Sequence, residues 1–321
     1  MWFSKTEMGH DCRPVKSQGN FFHTVDSSFL SYSVSAQGIV MSAASKGMKV
    51  VASNLDGLFA VVKPTGITSA GVVRKLKQIL LEGENCRQSV AVHPDIEPLA
   101  RRSKIRIGHG GTLDKNASGV LVIGVGRGTK NLSSMLRGNK RYQAVGCLGT
   151  STDTQDALGT VVQQLPSDHV TKDMLVSSLR QYHGDTMQVP PLYSALKVNG
   201  VRMSDLVVRS DNVQPKEARL VTVHSLKCLE FAPPYFTLDI QCGGGFYVRQ
   251  LVHDLGKDLG TCAYLAELTR TQQGPFTLTG HALPEDKWTL QHIWEAVSQV
   301  HHTLGRGVAC RPTKTWADGV S

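Results

Sequence analysis

GHGGTLDKNASGVLVIGVGRGTK, residues 108–130, places seven glycines in 23 positions around one aspartate, Asp114. Two architectures compete for this stretch. If the glycines cradle a phosphate, the chain is a doubly wound parallel α/β protein. If they shape a turn that presents Asp114, a different fold is needed. A P-loop requires GxxxxGK followed by Ser or Thr, so that backbone N–H groups and the lysine converge on the phosphates. Residues 126–130 read GRGTK, with Thr before Lys. A dinucleotide fingerprint requires GxGxxG and an acidic residue about 20 positions on. Residues 124–129 read GVGRGT, and the next acidic residue is Asp153. Neither phosphate loop fits. Gly124, Gly126 and Gly128 read instead as the end of a strand and the start of a closely packed helix. Gly108, Gly110 and Gly111 permit a sharp path and the close approach of a bulky ligand to Asp114.

The flanking segments favour the second architecture. Residues 58–62 form a short apolar run that ends at Lys63-Pro-Thr-Gly66, a strand followed by a turn. Thr68 or Ser69 can cap a helix with Val72, Val73, Leu76, Ile79 and Leu80 on one face. Further strands are predicted at 120–125, 141–148, near Val161, 220–231 and 236–242. Helices are predicted at 129–136 and 171–182, and where Val248, Leu251, Val252, Leu255 and Leu259 share a face. The two prolines of QVPPLYSALKVNG, residues 188–200, force an extended path there. Helices and strands alternate irregularly, with hairpin-like pairs. That pattern predicts an α+β fold with a mixed, largely antiparallel central sheet flanked by helices. Residues 1–55 are Ser-rich and read as a poorly ordered extension. Residues 56–288 form the expected domain, with a surface insertion at 82–104, and residues 289–321 a short tail.

Charge is unevenly spread. The 321-residue chain carries a net +9. Residues 57–141 hold 15 Lys or Arg against 5 Asp or Glu, and the remainder is close to neutral. A polyanion is the natural partner of such a segment. The seven cysteines form no CxxC pair and no zinc spacing, so no metal site is expected. No apolar run reaches the length of a membrane span, and the N-terminus lacks a secretory core. These features suggest a nuclear and cytosolic protein without membrane partners.

Residues 107–126 resemble the GHxGxLD-x-x-A-x-GVL segment of the TruB family of pseudouridine synthases. Matches follow in the family's order: KPTG at 63–66, KRY at 140–142, TDTQD at 152–156, PPLYSALK at 190–197, GFYVR at 245–249 and LTRT at 268–271. The resemblance covers roughly residues 56–288. It implies an enzyme that isomerises uridine to pseudouridine in RNA, at position 55 in the T loop of tRNA and in T-loop-like hairpins of mRNA. It also implies a cleft across the middle of the sheet, a monomer, and no cofactor. Two departures stand out. The usual threonine after the histidine is Gly110. Bacterial members carry a C-terminal PUA domain, and the 33 residues after Trp288 are too few for one.

The resemblance assigns Asp114 as the essential carboxylate, with Arg249 as its compensating charge. A cation about 4 Å away contributes roughly 4 kcal/mol at an effective dielectric near 20, enough to offset a desolvation shift of a few pKa units. Tyr247 is implied near carbon 5 of the base, and shares a face with Arg249 if that stretch is extended. Tyr142 is implied as the stacking platform, Leu268 as an apolar wall, and His109 as the residue that fills the gap left by an extruded base. Lys63, Arg106, Lys130, Lys140 and Lys197 are candidate phosphate contacts. A rival class is an RNA-binding or RNA-folding protein that acts on stem-loops without catalysis. It would have no need of Asp114, Arg249 and Tyr247 together.

Overall fold

The computed structural model describes residues 55–88, 105–209 and 213–303. The expected N-terminal extension up to residue 54, residues 89–104 of the expected insertion, and residues 304–321 lie outside this range. Fourteen strands are described: β1 (Gly57–Lys63), β2 (Ile107–His109), β3 (Ser118–Val125), β4 (Lys140–Leu148), β5 (Thr150–Thr152), β6 (Val161–Gln164), β7 (Gly184–Gln188), β8 (Lys197–Val198), β9 (Val201–Arg202), β10 (Arg219–Ala232), β11 (Tyr235–Cys242), β12 (Ala263–Gln273), β13 (Phe276–Thr277) and β14 (Ala282–Leu283). The helices are α1 (Ser69–Gln88), α2 (Leu132–Arg137), α3 (Lys172–Leu179), α4 (Met203–Arg209), α5 (Val248–Asp258) and α6 (Leu290–Thr303).

One mixed sheet runs in the order β14-β1-β3-β12-β4-β11-β10-β7, with β2 on β3 and β13 on β12. The β1–β14 and β3–β12 pairs are parallel. The other pairs in the sheet are antiparallel. This is the α+β class that the irregular alternation predicts.

Burial explains the two kinds of strand. β1 and β3 are covered on both faces, so they read as continuous apolar runs. On one face Phe59, Val61, Leu121 and Ile123 pack with Leu76, Leu80, Ile293 and Val297 of α1 and α6. On the other, Leu58, Ala60, Val120 and Val122 meet Met135 and Phe276. In the second half of the sheet Phe236, Leu238 and Ile240 alternate inward from β11, against Leu251, Val252 and Leu255 of α5. Each fully buried side chain of this size contributes about 1.5–3 kcal/mol.

Several boundaries differ from the sequence expectation. The insertion expected at 82–104 does not begin at 82, because α1 continues to Gln88. The core also runs past residue 288: Ile293 and Val297 of α6 are buried against β1 and α1. The helix expected at 129–136 opens as a 3-10 turn, Gly126–Asn131, before α2. Gly128 lies so close to β1 that a Cβ there would overlap the carbonyl of Gly57. Strand β12 was hidden. Its alternation is broken by Glu267, by Arg270 and by two register irregularities along β4. It joins the two halves of the sheet, and the cleft opens beside it.

Candidate active site

A cleft of about 680 Å³ is lined by the β2–β3 loop, α2, β4, the start of α5 and β12. Asp114, His109, Tyr142, Tyr247, Arg249 and Leu268 all reach it. They come from positions 109 to 268, so only the folded sheet brings them together.

The Asp114 loop is fixed almost residue by residue. Gly110 N donates to Val122 O at 2.8 Å. Gly110 O accepts from Gln273 Nε2 at 2.7 Å, and Gly111 O from Arg270 Nη2 at 3.2 Å. Ser69, at the head of α1, takes both groups of Leu113: its Oγ donates to Leu113 O at 3.0 Å and accepts from Leu113 N at 2.9 Å. Lys115 O accepts from Gly66 N at 2.9 Å and from Lys63 Nζ at 3.3 Å. Ser69, Arg270 and Gln273 are all buried. These polar groups therefore hold the loop from beneath, where water does not compete. We expect Ser69→Ala to leave a buried N–H and C=O unpaired, at a cost of about 1–3 kcal/mol. Calorimetry would show the loss of stability. Turnover should fall roughly tenfold or more as Asp114 shifts, and an unchanged turnover would refute this role.

Arg249 ties the loop to the rest of the site. Its Nε donates to Asp114 Oδ2 at 2.8 Å and its Nη2 to Oδ1 at 3.2 Å. Its remaining donors reach Thr154 O at 3.0 Å and Tyr193 O at 2.8 Å. One guanidinium thus joins the aspartate loop, the TDTQD turn, the PPLYS segment and α5. The arginine side chain is 5% exposed and the aspartate 37%, so the carboxylate keeps a face open to the cleft. A bidentate, charge-assisted pair of this kind fixes the direction of the carboxylate as well as its charge.

Tyr247 and Arg249 do not share the face of an extended segment. Tyr247 is the extended residue before α5, and Arg249 lies in that helix's first turn. The side chain of Gln188 holds the tyrosine's backbone, donating to Tyr247 O at 3.0 Å and accepting from Tyr247 N at 2.8 Å. Burial pushes the Tyr247 phenol above its usual range, against the opposing effects of Ser194 and Arg249. Burial does the same to Tyr142. Both phenols keep their protons at neutral pH. His109 is pushed the other way, first by burial and then by the charges of Arg270 and Arg202, and its imidazole is neutral there.

Two expected phosphate contacts are placed elsewhere. Lys63 is fully buried, and its ammonium donates to Pro64 O, Ile67 O and Lys115 O at 2.8, 2.7 and 3.3 Å. Burial lowers its pKa to about 8. Lys140 borders the cleft but turns its ammonium to Leu136 O and Gly138 O, both at 2.5 Å, and burial again lowers its pKa to about 8. Both are internal braces, because three and two carbonyls already take their protons. Arg106, Lys130 and Lys197 are exposed and do not line the cleft. The glycines are also used differently than expected. A Cβ on Gly108 would lie 3.2 Å from Leu132, and one on Gly110 would lie 2.6 Å from Met135. They make room for α2, not for a ligand. Sequence reasoning named Ser69 only as a candidate helix cap and passed over Gln188, Arg270 and Gln273. Arg270 stands in the quoted LTRT stretch, two positions from Leu268, and that period of two was the available signal.

The chain matches the family model described as TruB family pseudouridylate synthase (N terminal domain) over residues 100–248. It matches the tRNA pseudouridylate synthase B C-terminal domain over residues 249–307. It is 49% identical over 262 residues to the pseudouridylate synthase TRUB1 of Homo sapiens, covering 81% of this chain and 73% of that one. It is 36% identical over 238 residues to the tRNA pseudouridine synthase B of Symbiobacterium thermophilum, covering 73% and 72%. Among solved structures, a Cbf5-Nop10-Gar1 complex superposes with a TM-score of 0.51 at 23% identity, over 78% of this chain and 68% of the matched chain, a likeness of fold.

Proposed function

This chain belongs to the TruB family of pseudouridylate synthases, and from that membership we propose that it isomerises uridine 55 in the T loop of tRNA, with T-loop-like hairpins of mRNA as further substrates, through the carboxylate of Asp114. The observation that carries the reading is the Asp114–Arg249 pair at the floor of a cleft that has room for a nucleotide.

The reaction breaks the N-glycosidic bond of uridine, turns the freed uracil and rejoins it through carbon 5, which gives up its proton while nitrogen 1 takes one up. No atom is gained or lost. The base must first leave the RNA stack, which costs a few kcal/mol. His109 at the end of β2 fills the space it vacates, and its neutral ring suits a stacked position. Tyr142 supports the extruded base, and a stacking contact of this type contributes about 1–3 kcal/mol. Leu268 closes the apolar side. Asp114, its carboxylate aimed by the two bonds from Arg249, meets the flipped nucleotide with the face that remains open to the cleft. Tyr247 is a protonated phenol, so it orders the carbon 5 step by hydrogen bonding and can accept that proton only by passing on its own.

Nucleoside mass spectrometry with carbodiimide mapping tests the assignment. A tRNA T-arm stem-loop is incubated with the wild type, and with Asp114→Ala as background. Pseudouridine is expected at a single loop uridine with the wild type, and none with the variant. Absence of pseudouridine from the T-arm, or its appearance at scattered uridines, would reject the substrate assignment.

A further inference from the structure

Removing Lys63 and Lys140 from the phosphate contacts leaves the RNA backbone without a partner at the cleft, and the surface supplies another set. Arg137 ends α2, Arg202 ends β9 and Arg219 begins β10. All three are exposed, and none has a carboxylate partner among the described residues. Arg137 and Arg219 line the cleft. Arg137 is held where its backbone presses against Gly244, just before Tyr247, at a contact too close for a Cβ on that glycine. Arg219 pairs with Gln188, the residue that grips Tyr247. Arg202 pairs across its hairpin with Lys197, next to the cleft residue Leu196. Its charge reaches His109, and that of Arg219 reaches Tyr247.

Asp114 is the cleft's lone carboxylate among the described lining residues, and Arg249 already neutralises it. The mouth is therefore a positive rim with no internal counter-ion. Three exposed arginines on separate elements thus have no carboxylate partner among the described residues. Their planar forks suit bidentate bonds to phosphate oxygens.

We infer that Arg137, Arg202 and Arg219 form a clamp that grips the RNA phosphates flanking the flipped nucleotide, so that the backbone is anchored around the mouth while the base is drawn to Asp114. The inference rests on the RNA-modifying reading above, and it moves the backbone contacts from Lys63, Arg106, Lys130, Lys140 and Lys197 to Arg137, Arg202 and Arg219.

Fluorescence anisotropy with a labelled T-arm stem-loop tests the clamp between about 50 and 200 mM salt, the range over which phosphate contacts dominate affinity. Each of Arg137→Ala, Arg202→Ala and Arg219→Ala should weaken binding roughly tenfold. Each should also flatten the slope of log K against log salt by about 0.7–0.9, the contribution of one phosphate. Arg74 and Lys77 lie exposed on the outer face of α1, and Arg74→Ala with Lys77→Ala should leave the slope unchanged. An unchanged slope in the triple arginine variant, or an equal flattening in the α1 control, overturns the clamp. Wild-type protein that shows the clamp's slope but forms no pseudouridine would leave the clamp standing and remove the substrate reading instead.

Discussion

Asp114→Asn is expected to abolish pseudouridine formation while leaving RNA binding within about tenfold of wild type. The replacement keeps the side chain's shape and removes its charge. Arg249 loses one of its two bonds to residue 114, because the amide NH2 cannot accept, but keeps the other and those to Thr154 O and Tyr193 O. The guanidinium therefore stays in place, and the walls of the cleft stay with it. Loss of bonds to a charged group should cost about 1–3 kcal/mol of stability, which the fold can bear. Activity is a different matter, because no other described residue lining the cleft carries a carboxyl group. A decrease of roughly 10⁴-fold or more is the scale on which loss of an essential catalytic group is felt. Single-turnover assays with T-arm RNA at saturating enzyme would measure it. Activity within tenfold of wild type would end the assignment of Asp114.

The second large effect is structural. Gly119 sits at φ +103, where β3 runs parallel to β12 with Arg270 as its partner. A Cβ there would overlap the carbonyl and amide of Arg270. An alanine must therefore adopt a backbone conformation that L-residues avoid and also push back the strand that joins the two halves of the sheet. Strain of this type costs about 1–3 kcal/mol, and displaced packing adds to it. We expect Gly119→Ala to lose roughly 3–5 kcal/mol, lowering the melting temperature by roughly 10 °C for a chain of this size. Denaturant unfolding should show a lower midpoint at an unchanged slope. A shift of less than about 2 °C would mean that β12 yields without cost. Displacement of Arg270 should also loosen Gly111 and lower activity.

How far the sequence discloses this architecture depends on where the information lies. The apolar runs of β1 and β3 and the single face of α5 are local patterns, and they read clearly. The α+β class followed from them. β12 did not, because a buried arginine and two register irregularities disturb its alternation. The side chains at the cleft were named through family motifs, and the structure brings the named aromatic, acidic and arginine residues to one place. Motifs alone could not tell a buried lysine from an exposed one. Lys63 and Lys140 look like phosphate ligands in a basic segment, yet backbone carbonyls occupy their ammonium groups. The supports of the Asp114 loop stayed invisible for a related reason. Ser69, Arg270 and Gln273 act through main-chain atoms 44 to 163 positions away. A hydrogen bond to a carbonyl leaves no trace in the identity of the residue that owns that carbonyl.

The Asp114–Arg249 pair has a consequence in time. Its partners are 135 residues apart in the chain. At a synthesis rate of roughly 5–20 residues per second, Arg249 leaves the ribosome on the order of ten seconds after Asp114. β12, which completes the sheet between β3 and β4, is made later still. Throughout that interval the nascent chain carries Asp114 without the guanidinium that fixes its direction and without the strand that closes the wall beside it. The activity proposed for Asp114 therefore waits on α5 and β12, and a truncated product ending before α5 is expected to form no pseudouridine however well its preceding strands had folded.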